Sequence, residues 1–176
     1  MVPDEVHIVK DSDLITRLQN CFMTKCISSL NCKRQNSFIR CACPRVLVVD
    51  DNPFNIMAFE TILESLDVKC EYAYNGKSAV EKIVNRLRYS CCEYCKPFVV
   101  VFMDQEMPGM SGSDTVKEIR ELQAQNLVPS IDIIGSTAHG SKEEIEKFMK
   151  SGINCCIQKP ISVAQIQHIL HPYEEL

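Results

Sequence analysis

What this chain lacks narrows it first. No apolar stretch in its 176 residues approaches the ~18–20 that a membrane-spanning helix needs, so no membrane partner is expected. The opening Met1-Val2-Pro3-Asp4-Glu5-Val6-His7 has neither the basic start nor the apolar core of a secretory signal. The expected compartment is therefore cytoplasmic, with the nucleus equally open. No internal repeat is visible, so a repeat architecture is not expected. Strong positive charge is also missing. The net charge is −4, split into 6 Lys+Arg against 4 Asp+Glu over residues 1–44 and 13 against 19 over residues 45–176. An acidic body argues against nucleic acid as a partner, and a +2 extension is too weak for a polybasic tail.

Cysteine, by contrast, is abundant, at eleven residues. Cys26, Cys70, Cys155 and Cys156 fall inside apolar or helical patterns, where a thiol serves as a small hydrophobe. With no secretory signal the thiols read as reduced, and the odd count leaves one unpaired in any all-disulfide scheme.

The length suits one domain of about 100–150 residues with an appendage. Residues 1–44 read as an N-terminal extension. Leu14, Leu18, Phe22 and Cys26 recur every four residues behind Asp11 and Ser12, a pattern for one amphipathic helix, and Asn31 to Ser37 reads as linker. From Arg45 onward, strand and helix patterns alternate five times. Strands are expected at 45–49, 68–74, 98–103, 130–136 and 153–157. The intervening helices show apolar faces: Ile56, Phe59, Leu63 and Leu66; Val80, Ile83, Val84 and Leu87; Val116, Ile119 and Leu122; Ile145, Phe148 and Met149; Ile166, Ile169 and Leu170. This alternation means an α/β fold with a parallel sheet and right-handed crossovers.

Four polar islands each close one of the apolar runs: Asp50-Asp51, Asp104, Thr137 and Lys159. Parallel sheets bind ligands outside the carboxyl ends of their strands, so these islands should converge on one pocket suited to phosphate chemistry. Asp104 brings a carboxylate to that pocket at the end of the most apolar run. Three carboxylates crowded together repel one another and call for a cation, and Mg²⁺ (or Mn²⁺) suits as a hard, oxygen-loving ion. Thr137 offers a hydroxyl to a phosphoryl oxygen and Lys159 a compact positive charge to another. The bland reading makes the aspartate pair a helix cap and Lys159 a solvated loop residue.

Val48-Val49-Asp50-Asp51-Asn52, Met103-Asp104-Gln105-Glu106-Met107-Pro108-Gly109-Met110, Ser136-Thr137-Ala138 and Lys159-Pro160 together resemble the response regulator receiver domain of two-component signalling. The resemblance covers about 45–172, and the version most similar sits at the C-terminal end of hybrid histidine kinases. It implies a flavodoxin-like (βα)5 doubly wound sheet of strand order 2-1-3-4-5, with 45–176 as the receiver domain. It further implies that Asp104 is the nucleophile, its carboxylate attacking a phosphohistidine to form an acyl phosphate. Asp51 and Asp104 would ligate Mg²⁺ directly, Asp50 would act through water, and the backbone carbonyl of Glu106 would complete the protein ligands. Pro108 and Gly109 would form the turn leaving Asp104. Lys159-Pro160 would be a cis peptide.

Three places depart from the family pattern. Cys156 stands where the family has the Tyr or Phe that swings inward as the threonine moves, so the Thr137–Cys156 switch lacks its ring. Residues 88–97 lengthen a connection. Glu106 and His139 are variable family positions at the pocket mouth, expected either to tune hydrolysis lifetime or to be simple solvated side chains. Separately, Cys41-x-Cys43 and Cys92-x-x-Cys95 precede the first and third strands, which are neighbours in the family's sheet order. Four thiolates there could hold structural Zn²⁺, although Cys-x-Cys is an awkward bite.

Three function classes follow. The leading one is a phosphoacceptor that takes phosphoryl from a histidine kinase or His-containing phosphotransfer protein, with a dimer face built from the fourth helix, fifth strand and fifth helix. As the chain ends just after the fifth helix, it is expected to be a stand-alone receiver or the tail of a larger kinase. The second is a pseudo-receiver scaffold, against which stands the retention of every charged site residue. The third is a phosphatase with an aspartyl nucleophile, for which Glu106 is a weak second acid.

Overall fold

The computed structural model describes residues 43–88, 95–138 and 141–173. The amphipathic helix and linker expected within residues 1–42, most of the 88–97 connection, and His139 lie outside the described residues.

Among the described residues, five strands alternate with five helices. They are β1 (Val46–Val49), α1 (Pro53–Ser65), β2 (Cys70–Ala73), α2 (Gly76–Arg88), β3 (Val100–Asp104), α3 (Gly112–Ala124), β4 (Asp132–Thr137), α4 (Lys142–Lys150), β5 (Cys155–Gln158) and α5 (Val163–Leu170). The strands form one parallel sheet in the order β2-β1-β3-β4-β5, as the family resemblance implies. Register pairs Val46 with both Cys70 and Val100, Val100 with Asp132, and Ile134 with Cys155.

Successive strand residues point to opposite faces of the sheet, so each central strand feeds two cores. Leu47, Val49, Val101, Met103 and Ile133 join Val80 and Ile83 of α2, Val116 and Ile119 of α3 and Phe148 of α4 on one face. Val46, Val48, Val100, Phe102 and Ile134 join Ile56, Phe59 and Leu63 of α1 and Ile166 and Leu170 of α5 on the other. Phe59 and Phe102 meet there as a tilted ring pair, centroids 5.1 Å apart, which contributes about 0.5–1.5 kcal/mol beyond area burial.

Local chemistry starts the helices. Asn52 accepts from the Phe54 N–H at 3.0 Å, with Pro53 at the first helical position of α1. Ser111 caps α3. Capping boxes pair Ser141 with Glu144 at α4 and Ser162 with Gln165 at α5.

Every strand starts later than the sequence expectation. β1 begins one residue late and β2, β3, β4 and β5 two residues late. Phe98 and Ile153 are nevertheless 1% and 5% exposed, so apolarity there marks burial ahead of strand pairing. Met149, expected inward, is exposed. In α4 only Phe148 is buried.

Candidate functional site

Asp50 follows β1 directly, Asp104 and Thr137 are the last residues of β3 and β4, and Lys159 follows β5. The doubly wound order makes these ends adjacent, so four positions spread over more than a hundred residues face one pocket. Asp50, Asp51 and Asp104 each present a carboxylate oxygen, all within 4.8 Å of one another. Among the described residues no other group of three or more His, Cys, Asp or Glu side chains is arranged to hold a metal. Asp50 and Asp104 are buried and Asp51 is exposed at the rim.

Lys159 crosses the pocket. Its Nζ donates to Asp50 Oδ2 at 2.6 Å and to Asp104 Oδ1 at 2.7 Å. Burial pushes the Asp104 carboxyl above its usual value; the Lys159 hydrogen bond and charge oppose the rise, and the Asp50 and Asp51 charges add to it. Burial works against the Lys159 ammonium, but its hydrogen bonds with Asp104 and Asp50, and their charges, outweigh that and hold it above its usual range. The ammonium is thus held charged against its two carboxylates.

Backbone contacts fix the strand ends. The Gln105 N–H donates to Ser136 O at 3.0 Å, and the Lys159 N–H to Thr137 O at 2.9 Å. Thr137 is 5% exposed. The Lys159-Pro160 peptide is cis. Gly109 has φ +79°, the left-handed conformation that a turn after Pro108 requires and glycine adopts without strain. Gly112 lets α3 start against the end of β3: a Cβ there would lie 2.1 Å from the Asp104 carbonyl oxygen. The Glu106 side chain is exposed.

Cys156 is half-buried, pairs with Gly135 across β4–β5, and packs against the core under α2, α3 and α4. Of the four cysteines considered for zinc, Cys41 and Cys92 lie outside the described residues. Cys95 Sγ sits 3.9 Å from Nη1 of Arg86, while Nη2 of the same guanidinium donates to Pro44 O at 3.1 Å and to Glu71.

Two further contributors escaped the sequence reading. The Asn55 side-chain amide donates to Asp50 Oδ1 at 3.0 Å, joining the Asn52 N–H at 2.9 Å. Ser113 Oγ donates to Gln105 Oε1 at 2.9 Å, tying α3 to the residue after Asp104. A short-range signal for Asn55 did exist: an amide in the first turn of the helix that follows a buried carboxylate can reach back to it.

The site therefore combines a buried carboxylate at a strand end, oxygen donors suited to a hard divalent cation, and a lysine able to reach either. Comparison with known proteins agrees with it. Residues 46–171 match the family model described as the response regulator receiver domain. The chain is 33% identical over 127 residues to the sensor histidine kinase GacS of Pseudomonas protegens, covering 72% of this chain and 13% of that protein. It is 34% identical over 122 residues to the two-component response regulator ARR22 of Arabidopsis thaliana, covering 69% and 77% respectively. The chain thus spans only a small part of the hybrid kinases it matches. Among solved structures, the receiver domain of the sensor histidine kinase PA1611 from Pseudomonas aeruginosa, with magnesium coordinated in its active site cleft, superposes with a TM-score of 0.60. The two are 26% identical, over 74% of this chain and 98% of that one. Fold, site and relatives agree, and the chain belongs to the response regulator receiver domain family of two-component signalling.

Proposed function

We propose that this protein is a phosphoacceptor in a phosphorelay, taking a phosphoryl group from a phosphohistidine onto Asp104 in an Mg²⁺-dependent reaction. The observation that carries this is the convergence of Asp50, Asp51 and Asp104 within 4.8 Å, with the Lys159 ammonium between two of them. The donor set suits the cation: three carboxylates in one pocket need positive charge that Lys159 alone cannot supply to all of them. Asp51 and Asp104 would hold the ion directly, Asp50 through water, and the Glu106 backbone carbonyl would complete the protein ligands. When bound, Mg²⁺ neutralises charge on the phosphoryl oxygens.

The rest is work for the chain's own residues. A carboxylate oxygen of Asp104 attacks phosphorus, the P–N bond to the donor imidazole breaks, and its electron pair stays on the imidazole nitrogen. For Lys159 to reach a phosphoryl oxygen it exchanges a carboxylate contact for a phosphoryl one, so neutralisation is already in place when charge builds. Thr137 donates its hydroxyl to another phosphoryl oxygen. The resulting pull on the β4–α4 loop would bias the face formed by α4, β5 and α5, the surface also available for dimerisation. The donor would be a histidine kinase or a His-containing phosphotransfer protein. Residues 45–176 would be the receiver domain and 1–44 an N-terminal extension. Among the described residues no helix is long and apolar enough to cross a membrane.

Binding of beryllofluoride, a phosphoryl mimic, tests this reading. It should require Mg²⁺ and be lost in Asp104→Asn. Failure of the wild-type chain to bind it would favour a scaffold that is never phosphorylated.

A further inference from the structure

Asp50 has no exposed surface, so its carboxylate has to be satisfied from within the protein. The two oxygens are treated unequally. Oδ1 accepts from the Asn52 N–H at 2.9 Å and the Asn55 side-chain amide at 3.0 Å, while among the described residues Oδ2 accepts only the Lys159 ammonium, at 2.6 Å. A carboxylate oxygen offers about two acceptor sites, so Oδ1 is full and Oδ2 has one to spare. Any residue but proline at position 52 would supply the backbone donor. The amide is particular to Asn55. It is itself held in place, as the third residue of α1, with its backbone N–H donating to Asn52 O at 3.0 Å.

We propose that Asn55 is a positioning residue for the phosphorylation pocket. By pinning Oδ1 of Asp50 it leaves Oδ2 as that carboxylate's one outlet, aimed at Lys159, and so leaves Asp51 and the Asp104 oxygen that Lys159 does not take to hold the cation directly. This deepens the phosphoacceptor reading and rests on it.

A purely local role for Asn55 makes a different prediction. Residues in the first turn of a helix favour negative charge, and α1 has no acidic residue there. If Asn55 serves only the helix, Asn55→Asp should be harmless or better. If it donates to Asp50, the same near-isosteric change removes the donor and sets two carboxylates face to face.

The test uses the full chain without metal first. The ¹⁵N signal of the Lys159 ammonium, assigned by its disappearance in Lys159→Arg, should be protected from solvent exchange in wild type. That protection should be lost in both Asn55→Ala and Asn55→Asp. Calorimetric Mg²⁺ binding should then weaken about tenfold in Asn55→Ala. In an Asp50→Asn background the same change should cost less than about twofold, because the two effects are one interaction. An unchanged Lys159 signal in both Asn55 variants, or an Asn55→Ala effect that survives intact in Asp50→Asn, would overturn the proposal. A wild-type chain that binds no Mg²⁺ would instead refute the phosphoacceptor reading, and the metal-free Lys159 signal would still decide the role of Asn55.

Discussion

Lys159 and Asp50, 109 residues apart in the chain, meet at 2.6 Å, with the lysine side chain 16% exposed and the aspartate fully buried. The same ammonium holds Asp104 at 2.7 Å. Removing one partner of a buried pair leaves the other charge uncompensated, which costs about 3–5 kcal/mol. Lys159→Met should therefore lose about 3 kcal/mol in metal-free urea unfolding, and excess Mg²⁺ should restore part of it by neutralising the same carboxylates. A loss under about 1 kcal/mol would show that the lysine does not hold this pocket together.

Cys156 occupies a half-buried position beside the pocket strand and offers no ring to lock a shifted loop. The active conformation should then be a weak population bias, since a ligand shifts an equilibrium only by its differential contacts with the two states. Cys156→Tyr is expected to enlarge the difference in hydrogen-exchange protection of α4, β5 and α5 between free and beryllofluoride-bound protein. An unchanged or smaller difference would remove this position from the switch.

Tyr173 ties the segment after α5 to the start of β4. Its hydroxyl donates to Asp132, whose other carboxylate oxygen accepts from Asn154 at 2.7 Å. Burial, then the hydrogen bond to Asp132 and that residue's charge, push the phenol well above its usual range. The folded state thus favours the protonated phenol. Its stabilisation is complete below the unfolded value of about 10 and is lost as pH rises through the higher folded value. The stability gap between wild type and Tyr173→Phe should be flat from about pH 6 to 9 and shrink above about pH 10. Urea midpoints across that range check it, and a gap that widens with alkali would contradict the assignment.

The fold was legible because its strands are buried on both faces. Runs such as Val46–Val49 and Val100–Met103 carry no polar alternation, and each runs directly into an aspartate of the candidate site. Strand limits were less legible. Phe98 and Ile153 are core residues lying outside the ladder, so a hydrophobic pattern overstates where pairing begins. Met149 looked inward by periodicity, yet the nine-residue α4 buries Phe148 alone. At the site, Asp50, Asp51, Asp104, Thr137 and Lys159 could be found because each sits at a strand end, a place set by topology. Asn55 left a short-range trace, a first-turn amide five residues after a buried carboxylate. The Gln105–Ser113 contact left none, because it depends on how closely a helix start approaches its strand, as at Gly112.

The central claim is that Asp104 accepts phosphoryl in a pocket completed by Mg²⁺. Intact-mass spectrometry after incubation with a small acyl phosphate tests it most directly. The wild-type chain should gain one phosphoryl group with Mg²⁺ and none with chelator, and Asp104→Asn should gain none under either condition. Equal labelling of the Asp104→Asn chain, or labelling of wild type that ignores the metal, would contradict the account.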